Sequence, residues 1–524
     1  MTERKVELEL GLEDADDVEA LRLAAARVTK QRPADLQHVH VVRRSIDARR
    51  GRVRFHVVVS LDPPRALDEL GKPWPVAVRA PARVLVVGDG PAGLFCAWEL
   101  ARAGVASVVL DRGKTVQPRR VDLKGLNRHG VVDPDSNYCF GEGGAGTYSD
   151  GKLYTRATKR GDVRDVLEVL TLCGAPHDIL IDARPHIGSN LLPKVITSLR
   201  ERLEACGVQF RFGARVVDLD VQGGAVRAAR LADGDELPCD ALVLATGHSA
   251  RDVYRMLHAR GARLEAKGLA VGVRIEHPQA FINRLQYGAH ADHPRLPNAA
   301  YRIVEQVDGR GVFSFCMCPG GFIVPAATEP TGLVVNGMSL KRRDSPYANS
   351  GLVVAVELED AARAGHTGPF ALLEVQRKIE EAALAAGGGK LRAPACRAAD
   401  FTAGHTSSTL PTTSYQPGVA AADLAAVLDA SGVAIAHRLR RALAAFERTM
   451  PGYAGADALL VGVETRTSAP VRVARAPVSL ESIDVAGLYP AGEGAGYAGG
   501  IVSAALDGQR VARAILATLV TRTR

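Results

Sequence analysis

The chain has 524 residues, of which 47% are hydrophobic and 24% charged, an ordinary globular composition whose length predicts two or three domains. The net charge is +8, but lysine and arginine are spread along the chain, so we expect a small-molecule substrate and no nucleic acid. The eight cysteines do not have the spacing of metal ligands and are too sparse for a disulfide-rich protein, so we expect no metal. We find neither a signal peptide nor an apolar run of about 18 residues, so we expect a cytoplasmic protein with no membrane segment.

Residues 1–80 are predicted to form a small module followed by a linker. Four segments show strand or helix periodicity in the order β-α-β-β: Val6–Leu10, Asp14–Thr29, Val39–Ile46 and Arg52–Leu61. The apolar positions of the predicted helix are Val18, Leu21, Leu23, Ala24 and Val28. This order is typical of a compact α+β module. The proline-rich stretch from Asp62 to Pro75 is predicted to be the linker.

Residues 81–263 show alternating strand and helix patterns. A short apolar run over Arg83–Val87 precedes a glycine-rich turn, a predicted helix over Ala92–Ala103 and a second apolar run over Ala106–Leu110. This βαβ pattern predicts a parallel sheet and a Rossmann-like domain. The further elements predicted here are one helix and four short strands, over Asn190–Cys206, Gln209–Phe212, Arg215–Val221, Ala225–Leu231 and Ala241–Ala245.

Residues 264–480 are predicted to be a mixed α+β substrate domain inserted into the Rossmann-like domain. Strands are expected near Gly311–Pro325, and helices near Phe370–Ala386 and Ala434–Glu447. Residues 481–524 return to a strand, a glycine-rich turn and a helix, and so complete the first domain. The predicted fold class is therefore α/β, with an inserted α+β domain and an N-terminal βαββ module.

The strongest motif is the turn Gly88-Asp89-Gly90-Pro91-Ala92-Gly93, which fits G-x-G-x-x-G between a strand and a helix. Gly88 permits the tight turn, Gly90 lets the backbone approach a pyrophosphate, and Gly93 lets the helix pack on the sheet. The helix N-terminus offers N–H groups and a positive dipole end to phosphates. Asp111 ends the second strand, where an acidic residue accepts hydrogen bonds from a ribose.

Three more glycine-rich segments follow predicted strands or lie between them. They are Phe140–Lys152, which contains five glycines, Thr246-Gly247, and Tyr489–Ile501. Each lets the backbone lie close to a ligand. A second G-x-G-x-x-G with its own acid is absent from the sequence, so we infer one extended dinucleotide site that holds FAD. If NADH or NADPH is the electron donor, it must bind without a Rossmann unit of its own.

The candidates for catalysis are less specific than the glycine motifs. Cys316 and Cys318 are predicted to share one face of a strand, as a redox pair or a thiol near the flavin, or else as packed core residues. His248 is a candidate acid or base, or a loop histidine bonded to backbone. Tyr415, like His405, lies in a polar loop that either lines a substrate pocket or is an ordinary surface loop.

Two arginines allow either a ligand role or a structural role. Arg466 and Arg472 are placed to clamp a carboxylate, or to form an internal ion pair with Glu464.

Several of these segments together resemble the largely uncharacterised bacterial FAD-dependent dehydrogenase family, which is similar to glutathione-reductase-like flavoproteins. The matching segments are Phe140–Leu153, Ser314–Gly321, Asn336–Ser339 and Ala491–Ile501. The resemblance covers nearly the whole chain and implies FAD along the glycine motifs. The residues expected to bind the cofactor are Gly88, Gly90, Pro91, Ala92, Gly93, Asp111, Arg112, Gly143, Gly144, Ala145, Gly146, Thr147, Lys152, Val217, Thr246, Gly247, Gly492, Glu493, Gly500 and Ile501.

The expected function is that of an FAD-dependent oxidoreductase, a dehydrogenase or reductase that moves a hydride between flavin and an unidentified small organic substrate. A flavin monooxygenase is the enzymatic alternative, and a binding or scaffold protein with structural FAD is the alternative from another class. The sequence does not indicate an oligomeric state.

Overall fold

The computed structural model of the protein describes residues 4–49, 52–64, 74–78, 83–155 and 157–522. Its N-terminal unit contains β1 (Lys5–Leu10), α1 (Val18–Thr29), β2 (His40–Asp47) and β3 (Arg54–Ser60). The three strands form an antiparallel sheet in the order β1-β3-β2. Most of the predicted linker, residues 65–73, lies outside the described residues.

Helix α1 differs from its predicted bounds. It begins at Val18 because the Asp17 side chain accepts hydrogen bonds from the backbone N–H groups of Glu19 and Ala20, which caps the helix. Of the apolar residues at helical spacing, Val18, Leu23 and Val28 are exposed. The small residues Ala25 and Ala26 join Leu21 on the buried face instead, and this allows the helix to lie close to the sheet.

The nucleotide-binding unit follows. Its elements are β4 (Val84–Val87), α2 (Pro91–Arg102), β5 (Ser107–Asp111), α3 (Val116–His129), α4 (Val163–Leu172), α5 (Leu192–Ala205), β6 (Gln209–Phe212), β7 (Val216–Gln222), β8 (Ala225–Leu231), β9 (Glu236–Pro238), β10 (Ala241–Leu244) and α6 (Arg251–Ala259). Strands β7, β8 and β9 form a small antiparallel sheet, and the turn Gly223-Gly224 between the first two has positive φ at both residues, as a tight hairpin requires.

The central unit is built on a long sheet. Its elements are β11 (Leu264–Ala266), β12 (Leu269–Pro278), α7 (Gln279–Tyr287), β13 (Val304–Val307), β14 (Arg310–Cys318), β15 (Gly321–Pro325), β16 (Val335–Ser339), β17 (Tyr347–Val356), α8 (Leu358–Arg363), α9 (Ala371–Gly387), β18 (Ala393–Arg397), α10 (Ala398–Ala403), β19 (Val419–Ala421), α11 (Leu424–Leu428), α12 (Ala436–Thr449), β20 (Leu459–Glu464) and β21 (Val471–Val473). Seven strands pair in the order β13-β14-β17-β12-β20-β18-β19, and β15 pairs with β16.

The chain then returns to the nucleotide-binding unit with β22 (Leu488–Pro490) and α13 (Ile501–Arg522). The parallel sheet has the order β22-β10-β4-β5-β6, so its last strand in sequence lies at one edge beside β10. Strands β4 and β10 are apolar and buried throughout, because helices α2, α5 and α13 cover one face of this sheet and the small sheet of β7 and β8 together with α6 covers the other. In the part of the chain that the structure describes, no helix is both long enough and apolar enough to cross a membrane.

Candidate functional site

The predicted glycine-rich segments meet at one edge of the parallel sheet. Strands β4, β10 and β22 run in the same direction, so the segments that follow them begin side by side. A Cβ atom added at Gly494 would lie 2.5 Å from the carbonyl oxygen of Gly247, and one added at Gly492 would lie 2.8 Å from the Cβ of Ala92. These distances leave no room for side chains, and the close approach explains the glycines.

The turn after β4 has the geometry of a phosphate-binding turn. A Cβ atom at Gly93 would overlap the carbonyl oxygen of Gly88, so glycine is required there for helix α2 to pack on β4. Gly90 is the N-cap of α2, and no side chain caps that helix. A Cβ atom at Gly90 would come no closer than 4.0 Å to a neighbour. The N-terminus of α2 is thus uncapped by any side chain and has space beside Gly90, as an anion site requires.

Asp111 has a backbone-binding role that the sequence did not predict. Its carboxylate accepts hydrogen bonds from the N–H groups of Asp89 at 3.1 Å, Gly113 at 2.8 Å and Gly141 at 2.9 Å. It therefore ties the phosphate-binding turn to the second glycine-rich segment. The Oδ2 atom accepts only one of these bonds and retains capacity for a ribose hydroxyl.

Two other predicted cofactor residues lie near the Asp111 end of the sheet. Arg112 is engaged by Asp135 and Asp252 and lies over the Phe140 ring, so its guanidinium already has partners within the protein. Val217 is exposed and lies three residues after Ala214, whose N–H donates to the Asp111 carbonyl. Their role in cofactor binding stays a prediction.

The second glycine-rich segment is held in place by residues that sequence reasoning missed. Arg119 of α3 is fully buried, and its guanidinium donates to four backbone carbonyls, those of Asn137, Tyr138, Glu142 and Gly144. Glu142 accepts from the N–H of Val116 at 2.7 Å and from Arg200 at 2.8 Å. No sequence pattern distinguished these charged residues from surface ones, because their partners are backbone groups and distant side chains.

The same segment contacts the starts of two helices. A Cβ atom at Gly146 would lie 3.4 Å from Pro91 of α2 and 3.5 Å from Ile501 of α13. Thr147 is buried, and its hydroxyl donates to the Glu142 carbonyl at 2.7 Å. The structure thus brings together the predicted cofactor residues of three separate segments.

Lys152 connects the glycine-rich segment with the central unit. Its ammonium group lies 2.8 Å from Asp150 and 3.4 Å from the Sγ atom of Cys318. Arg274 of β12 is fully buried, pairs with Glu464 at 2.8 Å and lies 3.8 Å from the same sulfur. Burial raises the pKa of Cys318, and the two cations oppose that shift.

The prediction that Cys316 and Cys318 share one strand face is wrong. Strand β14 shifts register between Phe315 and Cys318, and Cys316 has a φ of +43°, so the alternation of side chains breaks there. Cys318 is buried and Cys316 exposed, and both are free thiols. Desolvation raises the pKa of the Cys316 thiol to about 11, and Lys152 opposes this shift.

Two more predicted residues have shifted pKa values. Desolvation raises the pKa of Glu493 to about 7, and the nearby Lys267 opposes this shift. Desolvation and Arg466 lower the pKa of His248 to about 4, so this histidine is neutral near pH 7. Its Nδ1 atom lies 2.9 Å from the hydroxyl of Ser249.

Tyr415 does not fit a catalytic role. Its side chain is buried, and its hydroxyl donates to the carbonyl of Leu391 at 2.7 Å, so it stabilises the fold of the central unit. A pocket-lining role is thus not supported for Tyr415. His405, from the same predicted loop, is exposed.

Arg466 forms an internal ion pair, but with a partner other than the predicted Glu464. It binds Glu380 of α9 at 2.9 Å, and Arg251 at the start of α6 binds the same carboxylate at 2.9 Å. The guanidinium of Arg472 lies 4.0 Å from the carboxylate of Glu265, at the outer limit for an ion pair, and it lies over the ring of Tyr497. The buried group Arg251–Glu380–Arg466 therefore links the central unit to the nucleotide-binding unit.

These features fit an FAD molecule. An uncapped helix N-terminus suits a pyrophosphate, glycines leave space along the sheet edge, and Asp111 retains an acceptor for a ribose. Across the described ranges, no three His, Cys, Asp or Glu side chains are grouped so as to hold a metal ion.

Comparison with known families agrees with this geometry. Residues 81–125 match an FAD binding domain, residues 165–274 a pyridine nucleotide-disulphide oxidoreductase, residues 268–467 an FAD-dependent protein, C-terminal domain-like, and residues 2–62 a domain of unknown function. The chain is an FAD-dependent oxidoreductase.

Among solved structures, the chain is similar to the flavin-dependent brominase Bmp2 in a triple-mutant form, with 12% identity, a TM-score of 0.37 and coverage of 84% of this chain and 81% of that one. It is also similar to CtdE in complex with FAD, with 11% identity, a TM-score of 0.33 and coverage of 83% and 84%.

One relative matches almost the entire chain. An uncharacterised protein of Clostridium beijerinckii is 40% identical over 525 residues, which cover 96% of each chain. The chain belongs to the same family as this Clostridium beijerinckii protein.

Proposed function

We propose that the protein transfers a hydride between FAD and a small organic substrate that binds between the parallel sheet and the central sheet. The observation that carries this proposal is the contact of Lys152, which follows the glycine-rich segment, with Cys318 of the central unit. From this contact we infer that the cofactor site and the central unit have one shared wall, which Lys152 and Cys318 line.

FAD would be held by the turn Gly88–Gly93, the segment Gly143–Thr147 and the start of α13, and when bound it supplies the ring that accepts or donates the hydride. Lys152 brings a partly exposed ammonium group, paired with Asp150, to the shared wall, where it would favour a ligand that is anionic or gains negative charge. Ion pairs of Glu380 with Arg251 and Arg466 would fix the position of the two units on either side of that wall.

The proposal is tested by mixing the purified holoprotein with NADH or NADPH in the absence of oxygen and following the visible flavin bands. Bleaching would identify a redox-active flavin and its donor. Persistent bands would move the search to organic substrates and protein donors, and a flavin that no donor reduces would favour the scaffold alternative. In a separate assay with oxygen present, oxygen consumed in proportion to product would favour the monooxygenase alternative.

A variant pair tests the role of the shared wall. K152Q removes a positive charge that we place beside the flavin, so the reduction potential of the flavin should become more negative. K194Q changes an exposed lysine on helix α5 and should leave the potential unchanged. Equal potentials in the two variants would remove Lys152 from the proposed site.

A further inference from the structure

Asp89 is an unusual residue for the centre of a phosphate-binding turn. It lies between Gly88 and Gly90 and its side chain is fully buried. Its Oδ2 atom accepts a hydrogen bond from the N–H of Gly143 at 3.3 Å, whereas its Oδ1 atom is buried and has no hydrogen-bond partner among the described residues. A buried carboxylate oxygen without a partner is costly when the group is charged.

The surroundings of Asp89 are acidic. Asp111 of β5 and Glu142 of the glycine-rich segment are the nearest acids, and burial together with these two carboxylates raises the pKa of Asp89 well above its usual value. Arg200 of α5 and Arg119 of α3 are the cations in range, but their guanidinium groups donate to other partners. Neither cation therefore neutralises Asp89 directly.

We propose that Asp89 is a neutral carboxylic acid that joins the phosphate-binding turn to the segment around Gly143, and that its ionisation weakens FAD binding. The proton belongs on Oδ1, because Oδ2 already accepts the bond from Gly143. A neutral acid keeps this bond and offers one O–H donor, whereas a carboxylate would repel both Asp111 and the pyrophosphate that the turn binds. This inference rests on FAD binding alone and is independent of the reaction.

The charge of Asp89 can be measured directly. The difference between the infrared spectra of the FAD-bound wild type and D89N at neutral pH should contain the C=O band of one protonated carboxylic acid, which shifts in heavy water; the difference cancels the bands of other acids such as Glu493. D233N, which changes an exposed aspartate in the turn before β9, serves as the control, and its difference from the wild type should lack this band. A wild-type-minus-D89N spectrum without the band would overturn the proposal.

FAD affinity supplies the second readout, by titration of the apoprotein followed through flavin fluorescence. D89N should bind FAD within about threefold of the wild type at neutral pH, because an amide reproduces the neutral acid. Above the pKa of Asp89, wild-type affinity should fall by up to about tenfold per pH unit while D89N stays flat.

Binding that tightens about tenfold or more in D89N would mean that a negative charge had been removed, and would overturn the proposal. The proposal would also be overturned if the FAD affinity of the wild type fell with rising pH while the infrared band was still present. D89S, which is also neutral, allows the same comparison if D89N does not fold.

Discussion

The buried carboxylate of Glu380 offers the sharpest test of how the two units are joined. Glu380 is 1% exposed at its side chain, and Arg251 and Arg466, at 4% and 7%, both bind it. The variant E380Q would remove the carboxylate that the buried Arg466 binds, while Arg251 would retain its ion pair with the partly exposed Glu329 at 3.2 Å. We expect it to destabilise the protein strongly, since breaking a buried ion pair by removing one partner typically costs about 3–5 kcal/mol.

The pKa of Glu380 gives a magnitude of the same order. Burial alone would raise this pKa, but Arg251 and Arg466 outweigh it and lower the value from 4.5 to about 2. Since one pKa unit corresponds to about 1.4 kcal/mol, the ionised carboxylate contributes about 3 kcal/mol. The folded-state pKa is depressed, so this contribution is complete above pH 4.5 and is lost as the pH falls from 4.5 towards 2.

Urea unfolding of the FAD-saturated proteins measures the difference, with free energies obtained by linear extrapolation. The matched control is E381Q on the same helix, because Glu381 pairs with Arg377 at the surface and such a pair contributes under about 1 kcal/mol. The reasoning is refuted if E380Q lowers the free energy of unfolding at pH 7 by no more than E381Q does. It is also refuted if the difference in this free energy between the wild type and E380Q does not shrink as the pH falls from 4.5 to the lowest pH at which the protein stays folded.

Three other changes test the site. G93A should abolish FAD binding because the added Cβ overlaps the Gly88 carbonyl. G125A should bind FAD normally, because a Cβ atom at Gly125 would have no neighbour within 4 Å. Flavin absorbance after gel filtration distinguishes the two variants. The exposed Cys316 should react with a thiol reagent before the buried Cys318, and its reaction rate should rise with pH towards its pKa of about 11. Bound FAD should slow this reaction. Equal rates in apoprotein and holoprotein would exclude a position of Cys316 beside the cofactor. Because the pKa of Glu493 is raised to about 7, the flavin spectrum should titrate near neutral pH in the wild type and not in E493Q, and a titration that persists in the variant would assign it to another group.

Local chemistry made the strands, the glycine turns and their order predictable. Runs of apolar residues mark strands buried on both faces, and Gly93 is required by its contact with Gly88 within one βαβ unit. The hairpin at Gly223-Gly224 follows from the φ values that only glycine adopts readily. The sequence by itself therefore determined which glycine-rich segments would follow the strands of the parallel sheet.

The tertiary structure decided how those segments are held and which charges meet. Arg119 binds carbonyls 18 to 25 residues away, and Arg466 binds Glu380 on a helix 86 residues earlier in the chain. The bulge at Cys316 separates two thiols that strict alternation would place together. Such contacts depend on distances between segments far apart in sequence, and residue type and spacing carry no information about those distances, so only the folded chain could reveal them.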